Sequence, residues 1–68
     1  MAKIEELLVS RGHAPKGSKF TWFPFPDESL DGNDVIYEGE VTFPNGETHR
    51  CRADKSQYTG EITFTNVY

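Results

Sequence analysis

An internal sequence repeat constrains the fold of this chain more than any other feature. The segment YEGEVTFPN at residues 37–45 returns as YTGEITFTN at residues 58–66. Apolar and polar residues alternate in both copies, and a period of two is typical of a β-strand with one buried and one exposed face. The segment ETHRCRA at residues 47–53 alternates in the same way. We therefore predict an antiparallel meander of three strands in which the two copies flank residues 47–53.

The turn chemistry predicts the register of the first hairpin. Residues 44–46 combine a proline suited to the first corner of a type I turn with a glycine that can adopt positive φ. A three-residue loop makes Phe43 and Glu47 the closing pair and places Glu40 opposite Arg50. Opposite charges then meet on one face, whereas a two-residue loop would mix the faces.

The register of the second hairpin is predicted from the sequence repeat. If residues 54–57 form a four-residue loop, Ala53 lies opposite Tyr58 and Arg50 lies opposite Glu61. The two copies then present matching residues on both sides of the middle strand. Their aromatic rings are expected to cover the inner face, which carries Tyr37, Phe43, Tyr58 and Phe64.

The same register brings three small residues together in the inner face. Gly39, Cys51 and Gly60 would be neighbours in one row across the sheet. Such a row leaves a shallow trough that a bulky aromatic or a helix can approach closely. We expect a large group to fill it.

The amino-terminal third supplies a helix and an edge strand. Residues 2–11 place Ile4, Leu7 and Leu8 on one apolar stripe, which needs the inner face of the sheet. Residues 19–23 suit a strand, and the prolines that follow confine it to an edge. The predicted fold is a single α+β domain over residues 1–68, with a short N-terminal helix packed on a three-stranded antiparallel meander plus a short edge strand.

Size and charge narrow the function classes. The chain has 68 residues, a net charge of −4 and one cysteine. An acidic balance disfavours non-specific binding to duplex nucleic acid, and a domain this small leaves little room for a catalytic cleft. Without an apolar run long enough to span a membrane, we expect a cytoplasmic protein. Small size suggests an accessory or inhibitory protein of the kind that bacteria or their phages encode.

The chain carries more aromatic side chains than the inner face requires. We expect some of Phe23, Phe25 and Tyr68 to be exposed, and clustered exposed rings usually mark a contact surface. The alternative is that they close the rim of a small core. We predict a protein-binding site formed by rings beside an acidic loop, comprising Trp22, Phe23, Phe25, Asp27, Glu28 and Asp31. Pairing of sheet edges into a homodimer is also open.

A second hypothesis is binding of single-stranded nucleic acid by residues 11–25. Cations there precede aromatic rings, and such a combination allows contacts to phosphates together with stacking on bases. The acidic loop nearby would repel phosphates. The residues of this alternative site are Arg11, Lys16, Lys19, Phe20 and Trp22.

Two patterns that suggest chemistry are better explained by structure. Residues 27–38 match the spacing of a calcium-binding loop but lack the flanking helices, so we interpret them as an acidic connection between strands. His49 and Cys51 share a strand face about 6 to 7 Å apart, too far for a direct hydrogen bond between them. We expect no enzymatic activity, cofactor or metal site.

Overall fold

The computed structural model describes residues 2–68 and contains one helix and five strands. The helix α1 spans Ala2–Ser10. The strands are β1 (Lys19–Trp22), β2 (Asp27–Glu28), β3 (Asp34–Thr42), β4 (Thr48–Ser56) and β5 (Ile62–Val67). All pairings are antiparallel, in the order β1-β3-β4-β5, and β2 pairs with the first half of β3. The predicted α+β fold, with its helix, meander and edge strand, is confirmed.

The first hairpin adopts the predicted register. Glu40 pairs with Arg50, and Tyr37 pairs with Ala53. The backbone N–H of Phe43 donates to the carbonyl of Glu47 at 2.7 Å. Gly46 has a φ of 93°, in the left-handed region that favours glycine. Local turn chemistry therefore fixes the pairing of β3 with β4.

The predicted register of the second hairpin is wrong. Ala53 pairs with Thr65, seven residues further along the chain than the expected Tyr58. The partner of Arg50 is Tyr68 and not Glu61, as two backbone hydrogen bonds of 2.9 and 3.0 Å show. A shift by an odd number of residues exchanges the two faces of a strand. The two copies of the sequence repeat therefore do not occupy equivalent positions on the two sides of β4.

The cause lies in the turn. Strand β4 continues through Ser56, and the backbone N–H of Ser56 donates to the carbonyl of Glu61 at 2.8 Å. The Ser56 hydroxyl accepts from the backbone of Tyr58 and Thr59 at 3.2 and 3.3 Å. Gly60 closes this turn with a φ of 75°. The sequence repeat predicted Gly60 within a strand, but this glycine is instead required for the left-handed conformation of the turn.

A bulge opposite Asp54 and Lys55 shifts the register once more within β5. Before the bulge, Ile62 packs against the core, as expected from the sequence. After it, Thr65 is buried on the inner face while Phe64 points outward and is 44% exposed. The predicted inner positions of Phe64 and Tyr58 are therefore wrong, whereas those of Tyr37 and Phe43 are confirmed.

Helix α1 covers the inner face of the sheet. Leu8 and Val41 are fully buried, and they pack with small residues where helix and sheet meet. Side chains at the helix end are tied to β5, because Arg11 Nη1 donates to Thr65 Oγ1 at 2.9 Å. The buried core comprises Ile4, Leu8, Ala14, Val41, Cys51 and Ala53.

The trough of small residues exists in altered form. Gly39 pairs with Cys51 as predicted, but Val67 takes the place expected for Gly60. The backbone of β1 comes so close that a Cβ on Gly39 would overlap the carbonyl oxygen of Thr21 and lie 2.9 Å from the Cα of Trp22. The close approach at this glycine is therefore made by the backbone of the neighbouring strand, whereas a bulky aromatic side chain or a helix was expected there.

The structure contains no helix, among the residues it describes, that is long and apolar enough to cross a bilayer.

Candidate functional site

Two of the predicted binding rings belong to the inner face. Phe20 and Trp22 are separated by one residue on β1, so they share a face, and their rings stack with centroids 6.1 Å apart. Both are partly buried against the core. Trp22 Nε1 donates to Glu5 Oε2 at 2.9 Å. These rings connect β1 to the helix and are not free platforms.

The cations of the same segment are spread around the helix and the connector. Arg11 is held by Thr65 at the far edge of the sheet. Lys16 borders an open depression together with Phe20 and the carboxyl side chains of Glu5 and Glu6. Lys19 is exposed on β1. The structure therefore places acids of the helix among the cations that the sequence grouped with the rings.

The opposite, outer face of the sheet carries a set of aromatic and arginine side chains. Paired residues of antiparallel strands point to the same side, so two rows can be followed across the sheet. One row runs from Glu40 to Arg50 and Tyr68. The next joins Phe23 and Glu38 to Arg52. We call the set formed by Phe23, Arg50, Arg52, Phe64 and Tyr68 the arginine–aromatic face.

Each arginine lies over a ring. The guanidinium carbon of Arg50 is 5.1 Å from the ring centroid of Phe23, and that of Arg52 is 5.5 Å from the centroid of Phe64. Both distances are within the range in which a cation attracts an aromatic face. The contacts hold two partly exposed rings in defined orientations on a rigid sheet.

The two arginines differ in their ionic partners. Arg52 donates to Asp54 through two nitrogens at 2.9 and 3.1 Å, and this hydrogen-bonded pair raises the pKa of Arg52. Asp54 is itself largely buried. Among residues 2–68, no carboxylate lies within ion-pair distance of Arg50, although Glu40 is its strand partner. Arg50 therefore retains donors for an external acceptor.

The exposure expected for the aromatic side chains is observed. Phe23 is 38% exposed, Phe25 87% and Tyr68 59%. Sequence reasoning missed the exposure of Leu30, and it missed Phe64 because the second hairpin was placed in the wrong register. A bulge signal in residues 62–64 would have been needed to find Phe64, and the sequence offers none that is specific.

The acidic loop lies beside this face. Asp27 and Glu28 form β2, and Asp31 sits at the tip of the following turn. Asp31 Oδ1 accepts from the hydroxyl of Ser29 at 2.6 Å and from the backbone of Asn33 at 3.0 Å. These hydrogen bonds, that of Ser29 first, lower the pKa of Asp31. An open depression between the loop and the sheet is lined by Glu28, Ser29, Leu30, Asp31, Ile36 and Arg52.

The polar side chains of Ser29 and Asp31 form hydrogen bonds within the loop itself. Glu38, which would close a calcium loop, lies within β3 opposite Arg52. Within residues 2–68, no group of three His, Cys, Asp or Glu side chains is arranged to hold a metal ion.

Cys51 is buried, and His49 packs on a neighbouring ring. Cys51 is 1% exposed, and burial raises the pKa of its thiol to about 11. A thiol that stays protonated near neutral pH is a poor nucleophile. The His49 ring packs on Phe43 with centroids 4.5 Å apart.

Comparison with known proteins adds no relative: no family model, curated protein or solved structure matches this chain.

Proposed function

We propose that this chain is a small non-catalytic protein-binding module, and that its binding site is the arginine–aromatic face together with the acidic loop at its border. One observation carries the proposal: two partly exposed phenylalanines on an open sheet face are each held beneath an arginine. Aromatic residues and arginine are enriched in protein interfaces and dominate their binding energy. A sheet also presents them without the entropic cost of ordering a loop.

The face has a polarity that a partner has to match. Phe23, Phe64 and Tyr68 offer apolar area, while Arg50 offers unused hydrogen-bond donors. The bordering loop is acidic, with Asp27 and Glu28 both exposed. A matching partner would carry an apolar patch, an acceptor for Arg50 and a basic group facing the loop.

Single-stranded nucleic acid is a weaker match. The rings of the alternative site are partly buried, and the Trp22 indole is bonded to Glu5. On the outer face, Glu38 and Glu40 lie in the same rows as the arginines, and Asp54 neutralises Arg52. Phosphates approaching either surface would meet carboxylates, which reduces the electrostatic gain on which such binding depends.

An accessory or inhibitory role is part of the same proposal, because a small non-catalytic module would act by covering part of its partner's surface. We also propose a cytoplasmic location, which the free thiol of Cys51 supports because unpaired cysteines are typical of reducing compartments.

The proposal predicts the outcome of a capture experiment with immobilised protein and a lysate of the organism that carries the gene. A double change, Phe23→Ala with Phe64→Ala, should abolish capture of the main bound protein. Removal of one hot-spot ring commonly costs about 2 kcal/mol or more of binding. Bound proteins would be identified by mass spectrometry and quantified against the unmodified bait.

The matched control is Tyr58→Ala, which removes a ring that is 79% exposed but lies in the β4–β5 turn. This change should leave capture intact. Circular dichroism should show that both baits remain folded, since the removed rings are outside the buried core. Equal capture by all three folded baits would refute the assignment of the site.

A further inference from the structure

Strand β5 presents an unpaired backbone edge. Arg50 and Tyr68 exchange two backbone hydrogen bonds. Hydrogen-bonded and non-hydrogen-bonded pairs alternate along an antiparallel ladder, so the next pairs are Cys51–Val67 without and Arg52–Asn66 with such bonds. The N–H and C=O groups of Thr65 and Val67 therefore point away from β4. Within residues 2–68, no strand pairs with that side of β5.

From Phe64 onward, this edge lacks the features by which sheet edges usually avoid pairing. Proteins protect free edges with charged residues, prolines or bulges. Ile62–Val67 contains neither a charged residue nor a proline, and its bulge lies before Phe64. The opposite edge has these features, because β1 begins with Lys19 and is followed by Pro24 and Pro26.

We propose that β5 pairs antiparallel with β5 of a second copy of this chain, about a two-fold axis through Asn66. The inference rests on the backbone edge of β5 and does not require the proposed function, although Phe64 and Tyr68 of the arginine–aromatic face border this edge. In this register Thr65 meets Val67 of the second copy, and Val67 meets Thr65 of the second copy. All four residues have outward-pointing backbone groups, so the pairing forms two complete hydrogen-bonded pairs.

The outer side chains of the same register are also complementary. Phe64 lies opposite Tyr68 of the second copy, and the two-fold axis repeats this pair. Aromatic cross-strand pairs stabilise antiparallel sheets. An axis through Thr65 would instead pair Val67 with Thr63, the residue displaced by the bulge, whose hydroxyl is bonded to Asp34 at 3.1 Å. The backbone and side-chain pairs match on both sides of Asn66, and this match favours a second copy of the chain as the partner of β5.

Dimerisation would join two sheets into one and place both arginine–aromatic faces on the same side. The paired segment is short, so the interface is at the small end of the range for specific complexes and the dimer should form in a concentration-dependent way. Each copy has a net charge of −4, and Arg11 of both copies lies near the new interface. Screening of these like charges means that added salt should favour the dimer.

Sedimentation velocity over a range of concentrations tests the inference with the variant Asn66→Asp. Two carboxylates would face each other at the axis, so the dimer dissociation constant should rise at least ten-fold. Within the monomer the new carboxylate would lie opposite Arg52 of β4, an opposite charge, so the fold should be retained. An unmodified chain that stays monomeric at millimolar concentration, or an equally strong dimer of the folded variant, would overturn the proposal.

A cysteine substitution provides a second readout of the register. Asn66 is predicted to face Asn66 of the second copy in a non-hydrogen-bonded pair. In such a pair the Cα atoms are about 4.5 Å apart, a distance that a disulfide can span. Asn66→Cys should therefore form a covalent dimer under mild oxidation, whereas the exposed control Tyr58→Cys should not. Cys51 is buried in both variants and does not compete. Cross-linking no faster at position 66 than at position 58 would contradict the proposed axis.

Discussion

Replacing Leu8 with alanine should lower the free energy of unfolding by about 2–5 kcal/mol, the range found when a fully buried leucine is truncated. Leu8 has no exposed surface and lies where α1 meets the sheet. A chain of 68 residues has a total stability of about 3–10 kcal/mol on the usual scale per residue. The variant should therefore be largely or wholly unfolded in modest urea concentrations, as measured by circular dichroism.

The control is Leu7→Ala in the same helix turn. Leu7 is only half-buried, so the same chemical change should cost clearly less. Equal losses for the two variants would mean that the helix does not pack on the sheet through Leu8.

Gly39→Ala should have the next largest effect, a loss of about 1–3 kcal/mol of stability by overpacking. The added methyl group would meet the backbone of Thr21 and Trp22 and not the flexible end of a side chain. Strand β1 would have to move away from β3, which would disturb the Trp22 hydrogen bond to Glu5. Because Trp22 is the single tryptophan of the chain, its fluorescence reports this displacement directly.

Gly12→Ala separates crowding from backbone strain. Gly12 has a φ of 80° and open space around its Cβ position, so alanine there costs stability through strain alone. Its tryptophan emission should match that of the unmodified protein, whereas Gly39→Ala should shift the emission. Unchanged stability and emission of Gly39→Ala would show that β1 does not lie against Gly39.

The two hairpins show what the sequence could and could not reveal about the fold. Residues 44–46 contain their own turn signal, so the pairing of β3 with β4 followed from local chemistry. For the second turn, the sequence repeat predicted residues 54–57, whereas the chain turns at residues 57–60. Ser56 stabilises the observed turn by hydrogen bonding and Gly60 by its positive φ, and both contributions are visible only once the strands are in place.

The same distinction applies to the candidate site. An excess of rings over core space predicted the exposure of Phe23 and Phe25. The position of Phe64 depends on a bulge in β5, and a one-residue insertion has no reliable local signature. The stacking of Arg50 and Arg52 on rings of other strands depends in turn on both registers. A non-local surface of this kind could not be predicted from residues 11–31 alone.

We propose that the arginine–aromatic face, and not the segment at residues 11–22, is the binding surface. Amide and side-chain NMR spectra recorded during titration with the captured protein test it most directly, with single-stranded DNA at low salt titrated in parallel. We predict that the protein perturbs resonances of Phe23, Arg50, Arg52 and Phe64 and that the DNA leaves the spectra unchanged. Perturbations confined to residues 11–22, by either ligand, would show that the arginine–aromatic face is not the binding surface.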